Sequence, residues 1–424
     1  MNISPKSNRI FTSYQVFMIV ILAFLQFTVV LDFMVLSPLG AVLLDELSMN
    51  TSQFGIVVSA YAFSAGVAAI LAAGFADKFD RKKMLLFFYV GFLVGTVFCA
   101  LAYSYHTLLL ARIITGLFGG VMSAISFAII SDIFLAQTRG RVMGFVQMAF
   151  SASQVLGIPA GLLLANHYGW HSPFWFIAII GLIVGIVIVI FMEPVREHLL
   201  IKSDNNAFQH LTNTLFKPNY LLAFATTTLL TTGGFMIMPF ASAFTTGNLG
   251  VSIEDLPLVY VVTGIFSILV GPLIGKYSDK IGKYKIFVLG SLLTIVFVLI
   301  YSHLGITPLW IVITTNVVLF IGISSRIISS SALMTSIPNN QDRGAFMSIN
   351  SAVQQTSGGI GATIAGMIVV KNSNGQILHY DTLGYIVNFA MLGAVVMMYF
   401  VNRNLQKEES KKINSSIELE LVNV

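Results

Sequence analysis

The sequence predicts an all-α membrane protein whose twelve transmembrane helices form two pseudo-symmetric halves of six. Three observations predict it. Hydrophobic residues make up 56% of the chain and charged residues 10%, against about 25% charged in soluble domains. Apolar runs near the roughly twenty residues that span hydrocarbon as a helix recur at 14–42, 54–76, 84–103, 107–131, 142–165, 173–192, 219–244, 257–275, 286–302, 307–334, 345–370 and 382–402. A charge-dense stretch from Ala73 to Lys83 (AGFADKFDRKK) returns as Gly275 to Lys285 (GKYSDKIGKYK), the echo expected of a duplicated half.

The first run follows Lys6 and Arg9 and has no small-residue cleavage site at its end, so it is expected to stay as an anchor. Most links between runs are short, which makes consecutive helices antiparallel neighbours. The exception carries Glu193, Arg196, Glu197, Lys202, Asp204 and Lys217. The expected organisation is therefore an N-terminal half at 1–192, a cytoplasmic linker at 193–218, a C-terminal half at 219–404 and a cytoplasmic tail at 405–424.

Basic residues set the orientation. Alternate loops hold Lys78, Arg81, Lys82, Lys83, Arg139, Arg141, Arg196, Lys202, Lys217, Lys276, Lys280, Lys283, Lys285 and Arg343, and both tails are basic on the same side. The opposite side sets Lys371 against Asp45, Glu46, Glu254, Asp255 and Asp381. Both termini are expected in the cytoplasm. The net charge of +5 follows from this topology, and a nucleic-acid partner loses its support. The single cysteine, Cys99, excludes an intrachain disulfide.

The repeat extends beyond the charged loops. Arg139 to Gly144 (RGRVMG) resembles Arg343 to Ser348 (RGAFMS). Gly140, Gly144, Gln147, Ser151, Gln154 and Gly161 recur at helical steps, and Gly344, Ser348, Ser351, Gln355, Gly358 and Ala365 do the same in the second half. A small, polar stripe must face a helix or a wet cavity rather than lipid.

Twelve helices, two halves, a central linker and this loop after helices 2 and 8 resemble the major facilitator superfamily over nearly the whole chain. The loop signature G-x-x-x-D-[RK]-x-G-[RK]-[RK] is met by Gly275, Asp279, Lys280, Gly282 and Lys283. The first copy keeps Asp77, Lys78, Arg81 and Lys82 but has Ala73 and Asp80 where glycines are expected. Leu31-Asp32-Phe33 through Pro38, Arg112 through Gly116 to Gly120, and Gly157-Ile158-Pro159-Ala160-Gly161 followed by Gly169-Trp170 resemble motifs of the proton-driven efflux branch, the last in a sugar-efflux-like variant split by Ile158. The first-half loop is either a topogenic basic loop whose charges simply stay inside or, as the resemblance implies, a cytoplasmic latch. In it Asp77 caps a helix of the other half and joins Arg81, Asp132 and Arg141, with Lys78, Asp279 and Lys280 as further gating charges.

Three charges lie inside the runs: Asp32, Arg112 and Arg326. Each costs roughly 2.5–3.5 kcal/mol at a helix centre. Asp32 and Arg112 sit at matching depths, which suggests a protonation site coupled to a cation, or else a static pair tying helices 1 and 4. Gly116, Gly119, Gly120 and Ser123 leave room there for a neighbour or for water. Arg326 matches neutral Met122 in the first half; it reads as an anchor for an anionic substrate group, or as a side chain that snorkels to the inner surface. Tyr61, Gln147, Phe150, Gln154, Phe235, Met236, Met238, Asn316 and Gln355 are cavity candidates, in a chain whose 17 Met and 34 Phe put most such residues against lipid or neighbouring helices.

Other chemistries lack their motifs. Gly271 to Tyr277 has the wrong spacing for a phosphate loop. His167 and His171 have metal-ligand spacing, but beside Trp170 they read as interfacial, and no metal is expected. No nucleophile–base set suggests an enzyme. The expectation is a monomer in a bacterial inner membrane, using the proton gradient and no cofactor to export a small amphipathic drug-like molecule or metabolite. An uptake symporter of the same fold is the alternative. A receptor or channel has no need of the internal ion pair and paired loops.

Overall fold

A computed structural model describes residues 11–73, 79–196, 199, 207–339 and 342–422. Among these residues twelve helical spans follow one another. They are α1 (Ser13–Val35), α2 (Thr51–Ala73), α3 (Arg81–Ala100), α4 (Tyr105–Ile133), α5 (136–168), α6 (Ser172–Phe191), α7 (Pro218–Gly247), α8 (Leu256–Ile281), α9 (Lys283–His303), α10 (Leu309–Met334), α11 (Arg343–Ile368) and α12 (Tyr380–Val422). Ten are long and apolar enough to cross a membrane, so the chain is an integral multi-pass membrane protein. α11, which carries the second polar stripe, falls short in hydropathy. The first apolar run, 14–42, is divided: α1 stops at Val35 and a short helix, Gly40–Glu46, follows.

Local chemistry sets several boundaries. Thr12 and Gln15 form a capping box at the start of α1, as Ser104 and Thr107 do for α4. Gly282 joins α8 to α9 with φ of 112°, a conformation that glycine adopts without Cβ strain. In α5 a π-helical turn at Ser153–Gly157 precedes Pro159. The proline lacks an N–H for the regular ladder, and a wide turn absorbs the defect.

Glycine decides how closely the helices approach. A Cβ on Gly116 of α4 would lie 2.4 Å from the Tyr61 carbonyl oxygen of α2, and one on Gly120 would lie 2.4 Å from the Ala65 Cα. The α3–α4 contact uses Gly95 against Thr115, and the α9–α10 contact uses Gly290 against Ser325 and Gly322 against Thr294. The room expected beside Arg112 is thus filled by α2 rather than by water.

The stripes divide by depth. Gly157 and Gly161 of α5 receive Leu31 and Val35 of α1, and Gly361 of α11 receives Thr232 of α7. Beyond these, α11 packs along α2: a Cβ on Gly366 would meet Gly55 Cα at 3.2 Å, and Ser59 Oγ donates to the Gly359 carbonyl at 2.8 Å. Thr51 donates to Val369 O at 2.6 Å, Asn166 to Ile253 O at 2.9 Å, Ser242 to Ser37 O at 3.0 Å, and Lys371 pairs with Asp45. These ties between α1–α6 and α7–α12 sit towards the end that bears the acidic loops. Toward the basic loops, Gly144, Gly271, Gly275 and Gly344 would meet no described atom within 4 Å of an added Cβ.

This contrast gives a stability prediction. Gly116→Ala puts a methyl into the α2 backbone and is expected to destabilise the purified protein by about 1–3 kcal/mol. Gly271→Ala adds the same methyl to open space and is expected to leave the unfolding midpoint unlowered. Thermal unfolding in detergent compares the two; equal losses would refute the close-packing account.

Candidate functional site

Asp32 lies in the last turn of α1 and Arg112 in the second turn of α4, and both are completely buried. Arg112 Nη1 donates to Asp32 Oδ2 at 2.7 Å and to the Asp32 carbonyl at 3.3 Å. Thr96 of α3 donates to Oδ1 at 3.2 Å. The Tyr61 ring of α2 lies 4.7 Å from Arg112 Cζ, within cation–π reach. A Cβ at position 119 would come within 2.8 Å of the Tyr61 hydroxyl, so Gly119 makes space for that ring.

The pair is connected across the molecule. Tyr61 packs on Phe33 with centroids 5.1 Å apart, and Phe33 meets Phe235 of α7 at 5.8 Å. Below it, Ser123 donates to Gln26 Oε1 at 3.0 Å and Gln26 donates to Ser126 at 3.3 Å. A carboxylate and a guanidinium buried away from bulk solvent attract strongly, and removing one partner leaves a costly orphan charge. Thr96 and Gln26 were missed in the sequence reading, although each is a polar residue in an otherwise apolar run.

Phe235 touches Phe33 and comes within 3.2 Å of where a Gly358 Cβ would stand. Met236 is buried in the apolar core and Met238 packs against it. Asn316 spends its amide on the Val312 carbonyl of its own helix. Gln355 is half-buried on α11. The side chains of Gln147, Phe150 and Gln154 lie outside the described residues. Arg326 is 3% exposed, and its Nε and Nη2 have no hydrogen-bond partner among the described residues. Met122, its first-half counterpart, is buried among apolar side chains.

Of the expected gating charges, Arg81 and Asp132 are brought together at 3.1 Å. Asp279 and Lys280 are exposed at the end of α8. Asp77, Lys78 and the Arg141 side chain lie outside the described residues. Lys82 donates to the Val189 carbonyl, 2.9 Å away, near the end of α6.

Asp80, the residue in place of a signature glycine, has acquired work of its own. It caps α3 through the Lys82 N–H at 2.9 Å and binds Arg196 Nε at 2.7 Å. Its backbone φ is −55°, so no glycine is required where Gly282 requires one. Burial alone would raise its carboxyl pKa, but the bonds from Arg196 and from the Lys82 and Val195 N–H groups outweigh burial and hold it below the usual carboxylate range. In the second half Asp342 binds Lys217 and the Tyr220 hydroxyl, which lowers its carboxyl likewise. Two carboxylates thus grip the chain at Arg196 and at Lys217.

The Major Facilitator Superfamily profile matches residues 22–362 and again residues 223–421. The chain is 26% identical over 370 residues to the uncharacterized MFS-type transporter YceJ of Bacillus subtilis, covering 86% of this chain and 93% of the relative. It is 24% identical to the quinolone resistance protein NorA of Staphylococcus aureus, covering 82% and 89%. An inward-open structure of the xylose transporter XylE from E. coli shares the fold with a TM-score of 0.71 at 17% identity, covering 90% of this chain and 95% of that one.

Asp80→Asn keeps the side-chain shape and removes its charge. It is expected to cost about 1 kcal/mol at pH 7. Because the folded carboxyl is held low, its contribution is present above the unfolded pKa of about 3.9 and is lost only as pH falls through the lower folded value. The difference in unfolding midpoint from wild type is therefore expected to be constant from pH 8 to about pH 5 and to shrink below about pH 4. A difference that vanished between pH 8 and 6 would refute this assignment.

Proposed function

This chain belongs to the Major Facilitator Superfamily of membrane transporters, and on that premise we propose that it exports a small amphipathic molecule by exchange for protons. Asp32 is the proton site and Arg112 its electrostatic partner. The observation that carries the reading is the buried Asp32–Arg112 pair, whose cation–π partner Tyr61 leads through Phe33 to Phe235 on α7. Protonating Asp32 removes its attraction for Arg112 and unloads the contact through which α1 and α2 meet α7. Deprotonation restores both. A static tie needs no such route to the other half.

In this reading 1–192 and 219–404 move as two bodies joined by 193–218, with the substrate between them. The acidic loops face outward by the distribution of basic residues, so the ties among Thr51, Val369, Ser59 and Gly359 close the outer side. Substrate enters from the inner side, where Gly144 and Gly271 face open space. It meets Gln147, Phe150, Gln154, Phe235, Met238, Asn316 and Gln355 as the inner side closes. Asp77, Lys78, Arg81, Asp132, Arg141, Asp279 and Lys280 then form the inner latch. Relatives called multidrug resistance protein, quinolone resistance protein and probable sugar efflux transporter support export and an amphipathic cargo. The setting is a bacterial inner membrane, with both termini cytoplasmic and one chain sufficient.

Proteoliposomes loaded with a fluorescent quinolone test this under an imposed pH gradient. Wild type is expected to move the drug against proton flow. Asp32→Asn is expected to lower gradient-driven flux by about tenfold or more while leaving gradient-independent counterflow. Movement of the drug with the protons would indicate symport, and full gradient-driven flux in Asp32→Asn would remove Asp32 from the proton path.

A further inference from the structure

Of the three charges inside the apolar runs, Arg326 has no counter-charge among the described residues. Its side chain is 3% exposed, and both Nε and Nη2 lack an acceptor there. Those two nitrogens share one edge of the guanidinium. Their N–H groups point the same way, which is the geometry that grips two oxygens of a carboxylate side by side.

The neighbouring hydroxyls do not meet this need. Ser325 donates to the Ile321 carbonyl at 2.8 Å, Ser330 donates to the Ile327 carbonyl at 3.1 Å, and Ser329 is paired with Ser278 of α8 at 3.4 Å; each oxygen keeps a lone pair, yet none accepts a hydrogen bond from Nε or Nη2. Nor does packing call for a cation, because Met122 fills the equivalent place in the first half as an apolar side chain. Arg112 differs in its counter-charge: its Nε too lacks a partner among the described residues, but its Nη1 is held by Asp32 at 2.7 Å. A buried guanidinium with an open paired edge is stabilised by an anion that comes from outside the chain.

We propose that Arg326 is the anchor for the cargo, and that the cargo is an amphipathic organic anion held through two oxygens of a carboxylate or similar group. This rests on the transport reading above and adds the chemical class of what is carried. Binding sets the anion against Nε and Nη2, and the apolar remainder of the molecule lies among the helices. Loss of the anion leaves the edge unsatisfied again, which favours the conformation in which water reaches it.

A matched pair of probes tests the proposal on the full-length protein in detergent: 2-naphthoate and its neutral isostere 2-naphthamide, at millimolar concentration, read by thermal shift. Wild type is expected to bind the carboxylate about tenfold more tightly than the amide, because a buried donor edge rejects a ligand that cannot satisfy it. Arg326→Met is expected to abolish that preference and, in the absence of ligand, to leave the unfolding midpoint level or raised, since it removes an unsatisfied buried cation. Arg326→Lys keeps the charge but not the paired edge and is expected to weaken naphthoate about tenfold. Asp32→Asn is expected to keep the carboxylate preference even where gradient-driven flux is lost. Equal shifts from the two probes, no shift from either, or a preference kept in Arg326→Met or undiminished in Arg326→Lys would overturn the anion site. Proton coupling through Asp32 would still stand.

Discussion

Lipid gives helices no hydrophobic reward for leaving it, so this bundle depends on how closely its backbones can approach. Glycine sets that distance at the contacts that matter. Gly116 and Gly120 bring α4 onto α2, Gly290 and Gly322 bring α9 and α10 together, and Gly55 with Gly366 brings α2 against α11. The first two groups lie within one set of six helices and the third joins the two sets. The contact between sets joins these glycines and a few hydroxyl-to-carbonyl bonds to separate aromatic contacts, Phe33 on Phe235, Phe54 on Phe240 and Phe63 over Gly359. Such a contact suits a surface that must separate and re-form.

The same closeness creates the electrical environment of the candidate site. With α2 pressed on α4, Arg112 is fully buried, and the guanidinium faces Asp32 and the ring of Tyr61. In such surroundings a single proton changes the energy balance far more than it would at a surface. Charges outside the spans behave differently. Asp80 and Asp342 keep depressed carboxyl pKa values through local donors and hold the chain at Arg196 and Lys217. Strong coupling is confined to the dry interior, while the loops provide anchorage.

The fold class and the pairing of Asp32 with Arg112 were legible because each follows from a rule that acts along the chain: apolar length, basic-loop bias, and the cost of a lone charge in hydrocarbon. The polar stripes of α5 and α11 were legible as packing faces, but not their division by depth. Whether Gly157 or Gly144 meets a neighbour depends on the tilt of α5 against α1 and α8, which no local pattern encodes. For the same reason no local pattern shows that Asn316 donates its amide to Val312 O of its own helix. Thr96 and Gln26 escaped because a hydroxyl or an amide in an apolar helix commonly bonds its own backbone, and only the crossing of α1, α3 and α4 gives them a partner.

Departures from the internal repeat carry information that the repeat itself does not. At one pair of equivalent positions Gly282 makes a turn at positive φ, while Asp80 takes an ordinary φ and uses its side chain to cap α3 and hold Arg196. The substitution trades backbone freedom for a charge with an evident structural partner. At another pair Met122 packs among apolar groups, while Arg326 brings a charge with none among the described residues. Both exchanges put a charged side chain where the other half is neutral, but among the described residues only the first has contacts that explain it. The second places its unmet requirement inside the membrane, in the half that lacks the Asp32–Arg112 pair. One half thus holds a charge pair already balanced, and the other holds a cation with no counter-charge among the described residues. That division fits a machine whose two halves have taken up different tasks, coupling in the first and recognition in the second.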